Sequence, residues 1–418
     1  MNVQYLRILP MMRWPRGLQS VEETQRPLLI IFFLFGLSGM SWVPRFPEVK
    51  ANLDVNYGYF GILLSVGGIG AILALATVGN LINHFGVKVF LPMSALGFCL
   101  MIFITVSIRE EVLFIVCNIT LGWLIATFNI AINSQALSIQ ERIKKLFLPK
   151  TAGAWSSGAL TAILLSSLIV DRVSLGLHIG VVQVFCLVGI GTQLFKIAPY
   201  FIEPGSASAS FSYSLFTVRK FKVDWPFYIA MLMAIQMEYS MTDWATIYAQ
   251  ENLQSSPKFA ALPYLVFLGF MIIGRLNVHR VFDRFTAKEL FDFGALIGGG
   301  GYCAGVLLSH LISNSNPLAY WSFLLALAFG GLGTSFMAPL FLNIAQARSK
   351  ESFAAVIGQL GLLNIAMVSV VRLFISWVTQ VGGLTLGILI PGLMLISLIF
   401  FTNVISERKY SQGSTRLS

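Results

Sequence analysis

Twelve apolar runs are separated by gaps whose positive charge alternates, and this pattern leaves few folds open. The runs fall near 28–44, 57–79, 89–107, 112–137, 149–170, 174–198, 226–249, 259–274, 290–312, 317–343, 353–377 and 383–404. At about 1.5 Å of rise per residue, most are long enough to cross a hydrocarbon layer of roughly 30 Å as helices. Of the 28 Lys and Arg, 22 fall in the N-terminal stretch, the even-numbered gaps with their edges, and the C-terminal tail. Five fall in the odd-numbered gaps, and one, Arg372, lies inside a run. Such a bias sets orientation and predicts that both termini are cytoplasmic. It also supports the number of spans, because one missed or invented span would shift every later gap and scramble the alternation.

The chain is 56% hydrophobic and only 11% charged, where a soluble domain carries charge on about a quarter of its residues. The net charge of +10 follows from the loop bias, so it points to anionic headgroups rather than to nucleic acid. Cys99, Cys117, Cys186 and Cys303 all fall inside apolar runs, on four different spans and with no Cys-x-x-Cys spacing. They read as small buried hydrophobes, with neither a disulfide framework nor a metal site.

The longest polar stretch between spans reads EPGSASASFSYSLFTVRKFKVD. Its small and Ser-rich residues make it flexible, and Arg219, Lys220 and Lys222 keep it cytoplasmic. The expected organisation is a cytoplasmic arm at 1–26, a six-helix bundle at 27–200 and a linker at 201–224. A second six-helix bundle at 225–405 and a tail at 406–418 complete it. The arm contains no apolar core followed by a small-residue cleavage site, so it reads as cytoplasmic rather than as a signal peptide. The halves share weak internal similarity. Gly79-Asn80-Leu81 ends span two and Gly274-Arg275-Leu276 ends span eight. Thr127-Phe128 precedes Gln135 in span four by the same eight-residue step that separates Ser335-Phe336 from Asn343 in span ten. Parallel repeats of this kind build transporters whose substrate site lies between the halves.

A six-plus-six helix chain with a basic middle loop resembles the major facilitator superfamily. That family's signature between spans two and three appears here as GNLINHFGVK, from Gly79 to Lys88. Gly79, Leu81, Gly86 and Lys88 match it, whereas Asn83 holds the acidic position and His84 and Val87 hold the two Arg positions. The charge relay of the motif is thereby weakened. Three stretches are similar to a little-characterised bacterial inner-membrane branch akin to the fucose permeases. They are Trp42-Val43-Pro44-Arg45-Phe46-Pro47, then Asn129 to Ala136 leading on to Trp155-Ser156-Ser157-Gly158, and Glu238 to Trp244 followed by Gly274-Arg275-Leu276. Ala152 stands where a His is common, span eleven carries Arg372, and spans one and four have no acid in their apolar parts. A fucose substrate is therefore not implied. The resemblance implies an all-α membrane protein of 12 transmembrane helices in two pseudo-symmetric six-helix bundles. It also implies a multi-pass location in the inner membrane.

Ionised side chains inside a bilayer cost about 2.5–3.5 kcal/mol each on insertion scales, so those retained face inward or pair. Glu238 lies halfway along span seven and Asp243 nearer its outer end, on different helical faces. Desolvation disfavours the charged form of Glu238, which marks it as a candidate proton carrier; the alternative is a structural acid bonded to a neighbouring helix. Arg372 lies at a depth close to that of Asp243. The two are expected to pair and to stabilise packing or gate the outer side, unless Arg372 snorkels to the headgroups. Arg45 and Arg275 are further gating candidates. Asn129 and Asn133 share a face of span four; with Gln135, Gln236 and Asn343 they read as substrate-binding amides or as interhelical glue. Trp155 and Trp244 read as stacking platforms for a flat ligand or as packing residues.

No nucleophile–base–orienter set, metal cluster or nucleotide motif appears, so neither an enzyme nor a cofactor is expected. The expected function is secondary transport of a small polar solute, neutral or zwitterionic, by a monomer, with protons as a candidate coupling ion. A multidrug or metabolite exporter of the same fold is one rival, and the missing Gly-Pro-Gly pattern in span five tilts against it. A non-transporting membrane receptor or assembly protein is the other.

Overall fold

The computed structural model describes residues 20–143, 147–201, 225–277, 284–312, 316–348 and 353–401. The arm up to Gln19, the linker from Ile202 to Asp224 and the tail from Thr402 lie outside the described residues. Every regular element among the described residues is helical. Among the described residues, eleven helical segments are long and apolar enough to cross a membrane. The twelfth span is Trp225–Glu251, whose Gln236, Glu238, Asp243 and Glu251 lower its hydropathy.

In the first half, span one is Gln25–Met40, continued past a 3-10 turn by the helix Phe46–Leu53. Span two is broken into Tyr57–Ser65 and Gly67–Phe85. Spans three to six are Val87–Ser107, Glu111–Ile143, Leu148–Ile169 and Leu175–Ile197. In the second half, span seven is Trp225–Glu251, and span eight is Leu262–Leu276 after the short helix Pro257–Ala260. Span nine runs from Ala287 to Leu311 through a π-helical stretch at Gly294–Gly300. Span ten is Pro317–Thr334 followed by Met337–Arg348, span eleven Phe353–Gly382 and span twelve Leu384–Ser397. The end that carries residues 202–224 is called the linker end below, and the opposite end the far end.

Sequence sets the helix limits locally. The Asn56 side chain accepts from the Tyr59 amide at the start of span two. Thr286 and Glu289 form a reciprocal capping box at the start of span nine, satisfying amides that have no intrahelical partner. Gly86 turns the chain between spans two and three at φ 81°, a conformation that costs other residues but not glycine.

Packing repeats in the two halves. Span one lies along span five, and span two along span four; span eight lies along span ten in the same way. Spans one and five approach backbone to backbone at Gly36 and Gly158, where a Cβ would strike the carbonyls of Trp155 and Phe33 respectively. Lipid tails offer no hydrophobic drive for helix association, so close van der Waals contact through small residues supplies it. The bend in span two is fixed by span four: the Asn118 amide donates to the carbonyls of Leu63 at 2.9 Å and Leu64 at 3.1 Å. These are carbonyls that the helix break would otherwise leave unpaired in an apolar medium.

Candidate functional site

Span seven is the central strut of the second half. It packs on spans eight, ten, eleven and twelve, and at the far end on the Phe46–Leu53 helix of the first half. Most of its side chains are buried, but Ile235, Glu238, Tyr239 and Thr242 form a half-open stripe at helical spacing. With the rest of the helix covered by neighbours, this stripe faces the seam between the halves.

Two acid–base pairs stem from the middle of span seven. Asp243 and Arg372 of span eleven meet in a fork, with Nε donating to Oδ2 at 2.6 Å and Nη2 donating to Oδ1. Their side chains are 6% and 25% exposed. The exposed apolar residues of span eleven are Val370, Leu373, Phe374, Trp377 and Val381. At about 100° per residue, Arg372 points roughly opposite to them, so it faces inward rather than toward the headgroups. Glu238 pairs instead with Arg275 of span eight, through one contact, Nη2 to Oε2 at 2.9 Å. These side chains are 34% and 32% exposed. Phe270, Ile273 and Leu276 form the exposed apolar face of span eight, and Arg275 lies roughly 140–160° from Phe270 and Ile273. Its Nε reaches the Ser335 carbonyl at 3.4 Å. The expectation of a desolvated Glu238 is thus corrected: the side chain is half-exposed and has a guanidinium partner. Sequence reasoning marked Arg275 as a gating candidate but did not name Glu238 as its partner. The available signal was depth, since Arg275 is 13 residues from Leu262 and Glu238 is 13 from Glu251.

Across the seam, Asn133 donates to the Asn129 carbonyl at 2.9 Å and to Asn129 Oδ1 at 2.6 Å. Asn129 is exposed, yet it lies roughly 100–160° around span four from Val112, Leu113 and Val116, the exposed apolar face. The amide pair therefore presents to the seam. Tyr239 and Asn364, which sequence reasoning passed over, also meet at the seam, with Asn364 Nδ2 donating to the Tyr239 hydroxyl at 3.3 Å. The Thr242 and Tyr264 hydroxyls are 2.9 Å apart.

Other expected contacts are placed elsewhere. Gln135 is buried and donates to the Tyr200 carbonyl at 2.8 Å, tying span four to the end of span six. Gln236 is fully buried and donates to Ser240 one turn along its own helix. Trp244 is buried beneath Gly61 of span two, so it is no open stacking platform. Trp155 is half-buried against the core of the first half. Arg45 is fully buried, but it bonds within the first half, to Glu48, His178 and the Val173 carbonyl. The charge pair across the far seam is instead Lys50 with Glu251, at 2.6 Å. In the motif after span two, Gly79 and Gly86 lie on the backbone path and Lys88 is exposed. The side chains of Asn83 and Asn343 lie outside the described residues.

The halves close on each other at the far end. A Cβ on Gly61 would run into the Trp244 ring and the Ser376 hydroxyl, one on Gly58 into Gln380, and one on Gly68 into Ser369. Span five meets the Pro257–Ala260 helix and span eight. One glycine toward the linker end lies in open space. Gly361, on the face of span eleven turned from the lipid, would meet nothing within 4 Å with an added Cβ.

Comparison with known proteins agrees with this architecture. The family model described as Major Facilitator Superfamily matches residues 28–370. An uncharacterized MFS-type transporter of Yersinia pestis is 22% identical over 377 residues, 88% of this chain and 92% of that protein. The membrane protein MosC of Rhizobium meliloti is 22% identical over 338 residues, covering 79% of each chain. Among solved structures, the nucleoside transporter NupG superposes with a TM-score of 0.69 at 13% identity, over 92% of this chain and all of that one. The D-xylose-proton symporter superposes with a TM-score of 0.68 at 14% identity, over 92% and 97%. Twelve helices in two matched bundles, a polar seam and this family match lead to one conclusion: the chain belongs to the Major Facilitator Superfamily and is a multi-pass membrane transporter.

Proposed function

We propose that the protein takes up a small polar solute by alternating access, with Glu238 as the proton-coupling group. One observation carries the reading. The halves are pressed together at Gly58, Gly61 and Gly68, while the Asn129–Asn133 amides and the Glu238–Tyr239–Thr242 stripe remain open to the seam. A seam closed at one end and polar inside is what a carrier needs, because a solute must enter from one side at a time. The positive charge of the loops puts the linker end in the cytoplasm, so this conformation faces inward. Uptake of a solute is favoured over efflux of drugs, since span five carries Gly153 and Gly158 without an intervening Pro. The nucleoside and xylose transporters that share the fold support a small polar solute as cargo. No partner subunit is needed for the seam, which one chain completes.

The test is closure of the far end. Gly61→Leu places a side chain where the Trp244 ring lies, so the far seam stays open and uptake into proteoliposomes falls at least a hundredfold. Single cysteines at Gly58 and Gln380 then label faster from the far side than in the parent protein. Normal uptake together with unchanged labelling in Gly61→Leu would remove the gate, and with it the alternating-access reading.

A further inference from the structure

We infer that the solute bears a carboxylate, which Arg275 takes in exchange for Glu238; the inference rests on the carrier reading above. Arg275 offers five N–H donors in a planar fork that fits a carboxylate at two points. Glu238 occupies one of them, Nη2, and Nε reaches only a distant carbonyl of Ser335 at 3.4 Å. Among the described residues, the second terminal nitrogen of Arg275 and Oε1 of Glu238 have no partner. The neighbouring Asp243–Arg372 pair differs in that both carboxylate oxygens of Asp243 are held by the one guanidinium. A solute carboxylate that docks on the open side of Arg275 completes the fork that Glu238 leaves half-made. The amides of Asn129 and Asn133, across the seam, are then available to hydroxyl or amino groups on the rest of the solute.

Charge balance extends the argument. A carboxylate that binds Arg275 and displaces Glu238 adds one negative charge to a membrane-embedded site, which is costly. A proton taken up by the displaced Glu238 restores neutrality. Solute and proton then travel together, each making room for the other. The groups around Glu238 fit this assignment. Arg275 and Tyr264 face it from span eight and Tyr239 lies beside it, while Asp243, on a different face of span seven, is already committed to Arg372. Span ten and span twelve bring no described charged side chain against it. Arg45, Lys50 and Glu251 belong to the far end, where Arg45 is held by Glu48 and Lys50 by Glu251.

The experiment uses the full chain in proteoliposomes with labelled gluconate and lactate, against xylose, ribose and the methyl esters of the two acids. The expected result is uptake of at least one of the two acids, accelerated at least tenfold by an inside-alkaline gradient, with its ester excluded. Arg275→Gln and Arg275→Lys each raise the KM for that acid more than tenfold. Glu238→Gln loses the acceleration by the gradient more than it loses solute exchange. As a check that needs no variant, the acid raises the melting temperature of the purified protein and xylose or the ester does not. Uptake restricted to uncharged solutes, or acid uptake indifferent to both Arg275 variants, overturns the inference and leaves the carrier reading standing. If no solute of either class crosses, both fail.

Discussion

Span seven holds two acid–base pairs only five residues apart, and their surroundings divide their labour. Asp243 and Arg372 are forked, deep and mostly covered. Glu238 and Arg275 touch through one hydrogen bond and are each about one-third exposed. The same two functional groups thus make a fixed brace in one place and an exchangeable contact in the other. What separates them is how many of their hydrogen-bonding positions are filled, not their charge. Removing one partner from a covered pair strands the other in a medium that cannot solvate it, whereas a half-exposed pair keeps part of its hydration.

The largest break in this contrast is expected from Asp243→Asn. It leaves Arg372 uncompensated at a cost of about 3–5 kcal/mol, seen as a marked drop in melting temperature in detergent. The double reversal Asp243→Arg with Arg372→Asp recovers part of that loss. Equal melting of the single and double variants would show that the pair does not brace spans seven and eleven. Next comes Glu238→Gln, for which melting is expected to move by no more than about 1 kcal/mol, while the pH-gradient dependence of uptake disappears. A destabilisation as large as that of Asp243→Asn would erase the distinction between the two pairs. The smallest effect is expected at the far seam. Lys50→Ala removes a partly covered pair with a single contact, for which about 0.2–1 kcal/mol is expected, so the balance between far-end open and closed forms shifts by a factor of roughly 1.4–5. Spin-label distances across the far end in the two proteins would read this shift, and a shift of more than tenfold would make Lys50–Glu251 a principal lock rather than a trim.

Much of the architecture could be read from the chain because apolar length and loop charge are one-dimensional signals. Counting turns also put Asp243 and Arg372 at one depth, and they meet. The side-chain surroundings were not legible in the same way. Gln135 and Gln236 are polar residues in apolar helices, and residue type alone does not say which neighbour lies across from them. One faces the end of span six, and the other is covered on the inner side of span seven. Trp244 could be read as a platform or as a packing residue from its type alone, yet span two comes directly over its ring at Gly61. Arg275 was marked as a gating candidate without a partner, although its distance from the start of span eight puts it level with Glu238. The absence of a side chain at Gly61 carries information only when the ring that fills the space is known.

The two hydrogen bonds from Asn118 to the broken turn of span two have a mechanical consequence. They tie that helix to span four at the break, so straightening the kink would return the Leu63 and Leu64 carbonyls to intrahelical partners and strand the Asn118 amide in hydrocarbon. The bend of span two and the middle of span four are thereby joined as one unit.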